Sequence, residues 1–111
     1  MKKLECIIRR NKAEDVRNAM YEIGVLGMTV TDVRGVGRQK GRTDNSEASD
    51  SIGFLPKVKM ELIVPEEMVS KVVAAIIECS RTGRFGDGKI FISPVEEVIR
   101  IRTGETGESA I

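Results

Sequence analysis

The chain has 111 residues, of which 41% are hydrophobic and 32% charged, and its formal net charge is +1. This length suits one domain with a modest core, and the balanced charge gives no overall field for nucleic acid or anionic lipid. The chain has no histidine, which excludes Cys/His metal sites and Ser–His or Cys–His catalytic pairs. No apolar run approaches the roughly 20 residues that span a bilayer, and the start leads straight into a strand pattern, so we expect a cytoplasmic protein.

The first half of the chain alternates between strand and helix patterns. Apolar and polar residues alternate over positions 2–9, which predicts a strand. An amphipathic helix is expected next, from an N-cap at Asn11 to a stop at Gly24. Residues 28–34 return to a period of two with β-branched composition, which predicts a second strand.

A long segment then breaks the periodicity. Residues 35–53 contain several glycines and a serine-rich, acidic stretch with almost nothing to bury. Connections in compact domains are usually about 4–6 residues long, and much longer ones tend to be functional or disordered. We therefore expect this segment to carry function.

The second half repeats the pattern of the first. Residues 54–64 alternate between an apolar face and a charged face, which predicts a long third strand. Pro65 suits the start of a second amphipathic helix and Gly83 its end. Two further strands are predicted at 89–93 and 98–102.

This order of elements predicts the fold. Strand–helix–strand, loop, strand–helix–strand is typical of an α+β, ferredoxin-like split βαβ sandwich with an antiparallel sheet and two helices, here as a single domain over residues 1–111. One face of such a sheet stays uncovered, and Leu55 and Ile63 are apolar residues on the otherwise polar side of the third strand. We therefore expect another subunit to cover part of that face. The polar tail, residues 104–111, is expected to be mobile.

The chemistry of the chain is concentrated near its C-terminal end. Gly86 and Gly88 allow backbone N–H groups to approach an anion closely, and Lys89 adds a point charge. Arg100 and Arg102 are spaced to project from the same face of the predicted last strand, and guanidinium groups suit phosphate oxygens. Together these residues predict a phosphate site, although a plain turn followed by two solvent-exposed arginines would have the same sequence.

Two nucleotide motifs are excluded by their context. Residues 83–89 satisfy GxxxxGK, but Ile90 stands where a P-loop needs Ser or Thr, and a helix precedes the loop where a strand should. Residues 35–41 suggest a dinucleotide fingerprint, but its third glycine would fall at Lys40 and no helix follows. The remaining interpretations of residues 35–41 are an anion cradle or a solvated basic turn.

Several stretches occur together in a fixed order, and with them the chain resembles the PII signal-transduction proteins, which are nitrogen regulators, over essentially its whole length. The stretches at 82–91 and 98–104 are the most specific. The matching stretches are Gly27-Met-Thr-Val-Thr31, Arg34-Gly-Val-Gly-Arg-Gln-Lys-Gly41, Phe54-Leu-Pro-Lys-Val-Lys59, Thr82-Gly-Arg-Phe-Gly-Asp-Gly-Lys-Ile-Phe91 and Val98-Ile-Arg-Ile-Arg-Thr-Gly104.

The resemblance implies a ferredoxin-like homotrimer with three nucleotide sites in the clefts between subunits, where ATP and ADP compete. It implies that Arg100 and Arg102 reach the phosphates from the neighbouring subunit, that Glu61 lies near Lys89, and that Ile63 lies by the adenine. The other implied nucleotide-binding residues are Gly27, Met28, Thr29, Gly35, Gly37, Arg38, Gln39, Gly86, Asp87, Gly88 and Lys89.

The resemblance also implies a keto-acid effector. Gln39 would help to ligate a magnesium ion that bridges ATP and 2-oxoglutarate. The carboxylates of 2-oxoglutarate would be held by Arg9, Lys40, Gly41 and Lys57. Because no protein carboxylate would surround this Mg²⁺, its binding would depend on ATP and the keto acid, which couples the two ligands.

The long segment at 37–53 would be the T-loop, the arm through which such proteins control partners. This chain departs from the pattern there: its only tyrosine is Tyr21, in the first helix, and the loop is one residue short. We therefore do not expect uridylylation, and Ser46, Ser49 and Ser51 are the alternative modification sites. An ammonium transporter is the first candidate partner, which would bring the protein to a membrane only indirectly, and another client stays open.

Three other hypotheses compete with a non-enzymatic sensor. A slow ATPase using Lys89 and Glu61 would lack a poised general base. Binding of single-stranded RNA would need an RNP motif with stacked aromatics, which the chain does not carry. A PII-like relative that binds adenine nucleotides but answers a different metabolite is the strongest alternative.

Overall fold

The structure is a computed structural model, and it describes residues 1–37 and 53–111. Its strands and α-helices, in chain order, are β1 (Lys2–Arg9), α1 (Ala13–Glu22), β2 (Thr29–Gly35), β3 (Leu55–Val64), α2 (Val69–Ser80) and β4 (Lys89–Pro94). Short 3₁₀ turns lie at Arg10–Lys12, Glu66–Met68 and Gly107–Ala110.

The four strands form one antiparallel sheet in the order β2-β3-β1-β4. β1 pairs with β3 from Lys2 opposite Val64 to Arg9 opposite Lys57. On its other side β1 pairs with β4, with Ile7 opposite Lys89. This topology with two helices is the ferredoxin-like arrangement, so the predicted fold is confirmed.

The core lies between one face of the sheet and the two helices. Alternate residues of β1 and β3 are buried there, which confirms the predicted period of two, and each helix adds a buried stripe. Burial of this apolar surface is the main favourable term in folding. The core residues include Leu4, Cys6, Ile8, Val16, Met20, Val58, Met60, Leu62, Val64, Val72 and Ile76.

The helix boundaries differ from prediction at their starts. A 3₁₀ turn precedes each helix, and Asn11 lies within the first turn instead of acting as an N-cap. Such turns are common at helix N-termini and satisfy part of the backbone. Gly24 follows the end of α1 with a φ of 87°, as its predicted role requires. Gly83 lies beyond the end of α2, in the loop that follows.

The predicted strand at 98–102 is wrong. In the described ranges this segment forms a single bridge, between Ile99 and Thr106, and residues 101–103 form a turn. The Gly104 amide closes the turn by donating to the Arg100 carbonyl at 2.7 Å, with a φ of 72° at Gly104. The β-branched residues gave a strand signal, but the glycine folds the segment back on itself.

The tail after Gly104, which was expected to be mobile, packs against the domain. The 3₁₀ turn Gly107–Ala110 places Ala110 in a buried position. The Arg100 guanidinium donates to the Glu105 carboxylate at 3.1 Å and to the backbone oxygen of Ile111 at 3.2 Å. These contacts tie the tail to the turn at 101–103.

The second face of the sheet is not covered by the helices. It carries the odd-numbered residues of β1 and β3, which alternate with the core residues and are only partly buried. None of the helices in residues 1–37 and 53–111 combines the length and hydropathy that a membrane span requires.

Candidate functional site

The loop at 81–88, which joins α2 to β4, has a shape set by close contact with β1. Gly86 and Gly88 have φ values of 102° and 94°, a region that disfavours other residues. A Cβ atom at Gly88 would lie 1.6 Å from the Ile7 carbonyl oxygen. Only glycine therefore fits at position 88 without movement of the β1 backbone.

The Asp87 carboxylate organises the start of this loop. Its Oδ2 accepts from the amides of Thr82 at 2.8 Å and Gly83 at 2.9 Å. Its Oδ1 accepts from the Thr82 hydroxyl and from Arg9 Nε at 3.2 Å. The Thr82 hydroxyl in turn accepts from the Arg84 amide at 3.2 Å. One carboxylate thus ties both ends of the loop together and joins them to β1.

These contacts control the ionisation of Asp87. Burial alone would raise the pKa of the carboxyl group, because water is withdrawn from the charged form. Hydrogen bonds from Thr82, Gly83 and Arg9 outweigh that effect and hold the pKa well below its usual range. Asp87 is therefore ionised at neutral pH and forms an ion pair with Arg9.

Two cations hold the carbonyl side of the loop. The Arg9 guanidinium donates to the Phe85 carbonyl at 2.8 Å, and Lys57 Nζ donates to the Gly86 carbonyl at 2.9 Å. Gly86 and Gly88, with their positive φ, lie in the same stretch of the loop. Successive N–H groups beside glycines with positive φ form a concavity that suits an anion.

An open groove of about 360 Å³ lies against this loop and the end of β2; we call it the loop-side groove. It combines backbone amides with the positive charge of Lys57, Arg84 and Lys89, which is the chemistry of a phosphate site. Its lining residues are Ile7, Gly35, Val36, Gly37, Lys57, Arg84, Phe85, Gly86, Asp87, Gly88, Lys89 and Phe91.

A second groove, of about 520 Å³, lies at the other end of the sheet; we call it the chain-end groove. Glu61 in this groove binds Lys3 Nζ at 2.8 Å and Lys59 Nζ at 3.6 Å. The hydrogen bond from Lys3 is the main cause that lowers the pKa of Glu61. The lining residues are Lys3, Gly27, Met28, Thr29, Glu61, Leu62, Ile63, Val98, Ala110 and Ile111.

The two grooves divide the residues for which the resemblance implied one site. Gly35, Gly37, Lys57 and residues 86–89 meet at the loop-side groove, and Arg9 reaches the same loop. Residues 27–29, Glu61 and Ile63 meet at the chain-end groove. The other expected residues, Arg38, Gln39, Lys40 and Gly41, lie outside the described residues.

Two expected placements change, and a third, Glu61 beside Lys89, stays a prediction about the site between subunits. Arg100 and Arg102 do not share a strand face, because the chain turns between them. Arg100 lies by Ile111 at the chain-end groove, and Arg102 is exposed in the turn. Within one chain Glu61 pairs with Lys3 and Lys59, while Lys89 lines the opposite groove.

Sequence reasoning missed Thr82, which holds the loop beside the loop-side groove, and several residues that line the chain-end groove. The sequence did contain a signal for Thr82, because threonine and aspartate side chains that are close in sequence often form local hydrogen bonds in turns, as the Thr82 hydroxyl and the Asp87 carboxylate do here. Lys3 gave none, because its pairing with Glu61 depends on the register of two strands distant in sequence. Ala110 and Ile111 were placed in a mobile tail and instead line the chain-end groove.

Across residues 1–37 and 53–111, no three acidic or cysteine side chains converge on a possible metal position. The burial of Cys6 raises the pKa of its thiol to about 11, so the thiolate is not formed at neutral pH.

Comparison with known proteins gives a family. Residues 1–105 match the sequence model of the family described as Nitrogen regulatory protein P-II. The chain is 53% identical to the Nitrogen regulatory protein P-II of Haemophilus influenzae and 54% identical to that of Pasteurella multocida. It is 51% identical to Nitrogen regulatory protein P-II 1 of Escherichia coli K12. Each of these alignments covers 100% of both proteins.

Proposed function

This chain belongs to the P-II family of nitrogen regulatory proteins, which gives it a role in nitrogen-regulatory signalling, and from that premise we propose how it works. It is a non-enzymatic sensor that binds ATP or ADP together with Mg²⁺ and 2-oxoglutarate. It acts as a homotrimer and controls a partner protein through residues 37–53. No nucleic acid is part of this proposal.

The observation that carries the proposal is the loop-side groove. Residues 85–88, with two glycines of positive φ, line this groove together with Lys57 and Lys89. A polyphosphate is the ligand class that such donors suit best, because it presents several anionic oxygens at once. We propose that Gly35, Gly37, Gly86, Gly88 and Lys89 contact the phosphates, with Arg38 and Gln39 joining them.

The separation of the two grooves supports an intersubunit site. Lys57 lines one groove and Ile63 lines the other, six residues along β3. At about 3.3 Å per residue these positions lie about 20 Å apart. A nucleotide that uses both sets of residues is better held between two chains, one giving the loop-side groove and its neighbour the chain-end groove. Arg100 and Arg102 would then come from the neighbour, with Gly27, Met28 and Thr29 by the base.

The keto acid would bind beside the loop-side groove. Arg9 and Lys57 contact the carbonyl groups of Phe85 and Gly86 in the loop, so a carboxylate that bound them would lie next to the proposed phosphate site. We propose Arg9, Lys40, Gly41 and Lys57 as its ligands. Gln39 would ligate the Mg²⁺, whose remaining ligands would be ATP and 2-oxoglutarate. The two ligands would bind cooperatively for this reason.

The regulated partner is proposed to be an ammonium transporter, reached by the protein from the aqueous side. Membership of the family supports a partner protein of some kind. The alternative is a P-II relative that binds adenine nucleotides and answers a different metabolite. Loss of the keto-acid response is the observation that would favour it.

Calorimetry of the purified protein tests the proposal. ATP with magnesium is titrated with and without 2-oxoglutarate, and we expect each ligand to tighten the binding of the other. Gln39→Ala should lose this cooperativity, and Arg102→Ala should weaken nucleotide binding in general. Arg17→Ala is the control, because that arginine lies exposed on α1 with contacts to its helix neighbours.

Three results would contradict parts of the proposal. Unchanged nucleotide affinity in Arg102→Ala would overturn the intersubunit site. Binding of ATP without any response to 2-oxoglutarate would favour the alternative relative. Turnover of ATP above about one per second, the low end for enzymes, would overturn the non-enzymatic assignment.

A further inference from the structure

The hydrogen bonds of Asp87 leave its carboxylate no room for a ligand. A carboxylate has about four lone-pair positions. In this structure each oxygen accepts two hydrogen bonds, Oδ1 from the Thr82 hydroxyl and Arg9, and Oδ2 from the amides of Thr82 and Gly83. All four positions are therefore occupied by donors of the protein itself.

From this saturation we infer that Asp87 is a positioning residue for phosphate binding and contacts neither the nucleotide nor its metal ion. The inference rests on the proposed function, and it departs from the role that the family resemblance implied for Asp87. The carboxylate closes residues 82–87 into a ring, and Gly88 packs directly on the Ile7 carbonyl. The amides of residues 85–88 are thereby fixed before an anion arrives, which lowers the cost of ordering them on binding.

The charge of Asp87 makes the inference testable, because each possible role of the carboxylate predicts a different change in ATP affinity. Two negative charges a few ångströms apart repel each other, and more strongly where water is partly excluded. If the carboxylate faced the phosphates, its neutralisation in Asp87→Asn would tighten ATP binding. If it positions the loop, the same change removes the ion pair with Arg9 and weakens ATP binding. If it ligated Mg²⁺, the loss would appear only with the metal present.

The experiment measures ATP affinity of the full chain by calorimetry, in EDTA and again with magnesium. Asp87→Asn and Thr82→Val, which removes the hydroxyl donor, should each weaken binding about tenfold in both conditions. Thr82→Ser restores the hydroxyl and should bind within threefold of the native protein. Asp32→Asn is the control for the change in charge, because Asp32 lies exposed on β2 beside Arg10.

Each outcome decides the question. Weaker binding in both conditions, with recovery in Thr82→Ser, supports positioning. Equal or tighter ATP binding by Asp87→Asn, or a loss confined to magnesium, overturns it. If Asp87→Asn fails to fold, Thr82→Val and Thr82→Ser carry the same comparison. A native protein that binds no ATP overturns the proposed function itself, which is a distinguishable result.

Discussion

The loop-side and chain-end grooves lie on one sheet but are built in different ways. The loop-side groove is braced by partly buried contacts, in which Arg9 is 16% and Asp87 23% exposed at the side chain. The chain-end groove is held by the Lys3–Glu61 ion pair, at 35% and 27% exposure, and by the folded tail. The carboxylate in the first groove also accepts from backbone amides, and such charge-assisted hydrogen bonds fix a geometry more strongly than a pair of flexible side chains does.

The difference shows which half of the proposed site a single chain can complete. The backbone and cations that line the loop-side groove are held in place by the contacts of Asp87, Arg9 and Lys57. The chain-end groove offers mainly the backbone and apolar side chains of residues 27–29 and 63, with Arg100 engaged by Glu105 and Ile111. We expect changes in the first groove to cost more than equal changes in the second.

The largest effect is expected from Gly88→Ala. The added methyl group would meet the Ile7 carbonyl oxygen, which belongs to the central pairing of the sheet and cannot move freely. We expect a loss of about 3 kcal/mol or more in the free energy of unfolding, a size typical of overpacking combined with strain at a positive φ. Urea denaturation followed by circular dichroism measures it.

Gly83→Ala is the matched control for this prediction. Gly83 has a similar φ of 86°, but no atom lies within 4 Å of a Cβ atom built there. Only the conformational penalty of about 1 kcal/mol should remain. Equal losses in the two variants would show that contact with β1 does not define the loop.

The contrast between the grooves also explains what the sequence could predict. Patterns of period two and 3.6 identified β1, β3 and both helices, because these elements bury one face. β2 was identified from its period of two and β-branched composition, although its residues are mostly exposed in the single chain. The glycines of the phosphate loop were identifiable because their spacing beside Lys89 has a specific chemical meaning.

The remaining features depend on contacts between distant residues. The strand pattern of Val98 to Ile101 is local, but the turn closed by Gly104 and the packing of Ala110 override it. The hydrogen bonds from Arg9 and Lys57 to the loop require the register of β1 and β3, which no local pattern contains. For the same reason the separation of the two grooves could not be predicted.

An intermediate effect is expected from Asp87→Asn, which should change how the free energy of unfolding depends on pH. The folded-state pKa of Asp87 is lowered, so its contribution is present above the ordinary carboxyl pKa of about 4 and is lost as the pH falls below it. Asp87→Asn should cost about 2 kcal/mol at pH 7, the size expected for hydrogen bonds to a charged group. Because the variant lacks this carboxyl group, its free energy of unfolding should fall less steeply than that of the native protein between about pH 4 and pH 2. If chemical denaturation showed the two free energies of unfolding falling in parallel with pH, the stabilising role of the ionised Asp87 would be contradicted.

The smallest effect is expected from Glu61→Gln, which removes the same charge at the chain-end groove. Glu61 is held by Lys3 and Lys59 on the partly exposed face of the sheet, and its pKa is lowered mainly by the hydrogen bond from Lys3. At about 1 M salt the screening length falls to about 3 Å, so the ion pairs of Glu61, which water reaches, lose their contribution to the free energy of unfolding. Denaturation at low and high salt should therefore show a small loss for Glu61→Gln that disappears with salt, while the loss for Asp87→Asn persists. If both losses responded equally to salt, the two grooves would not differ in how their charges are held.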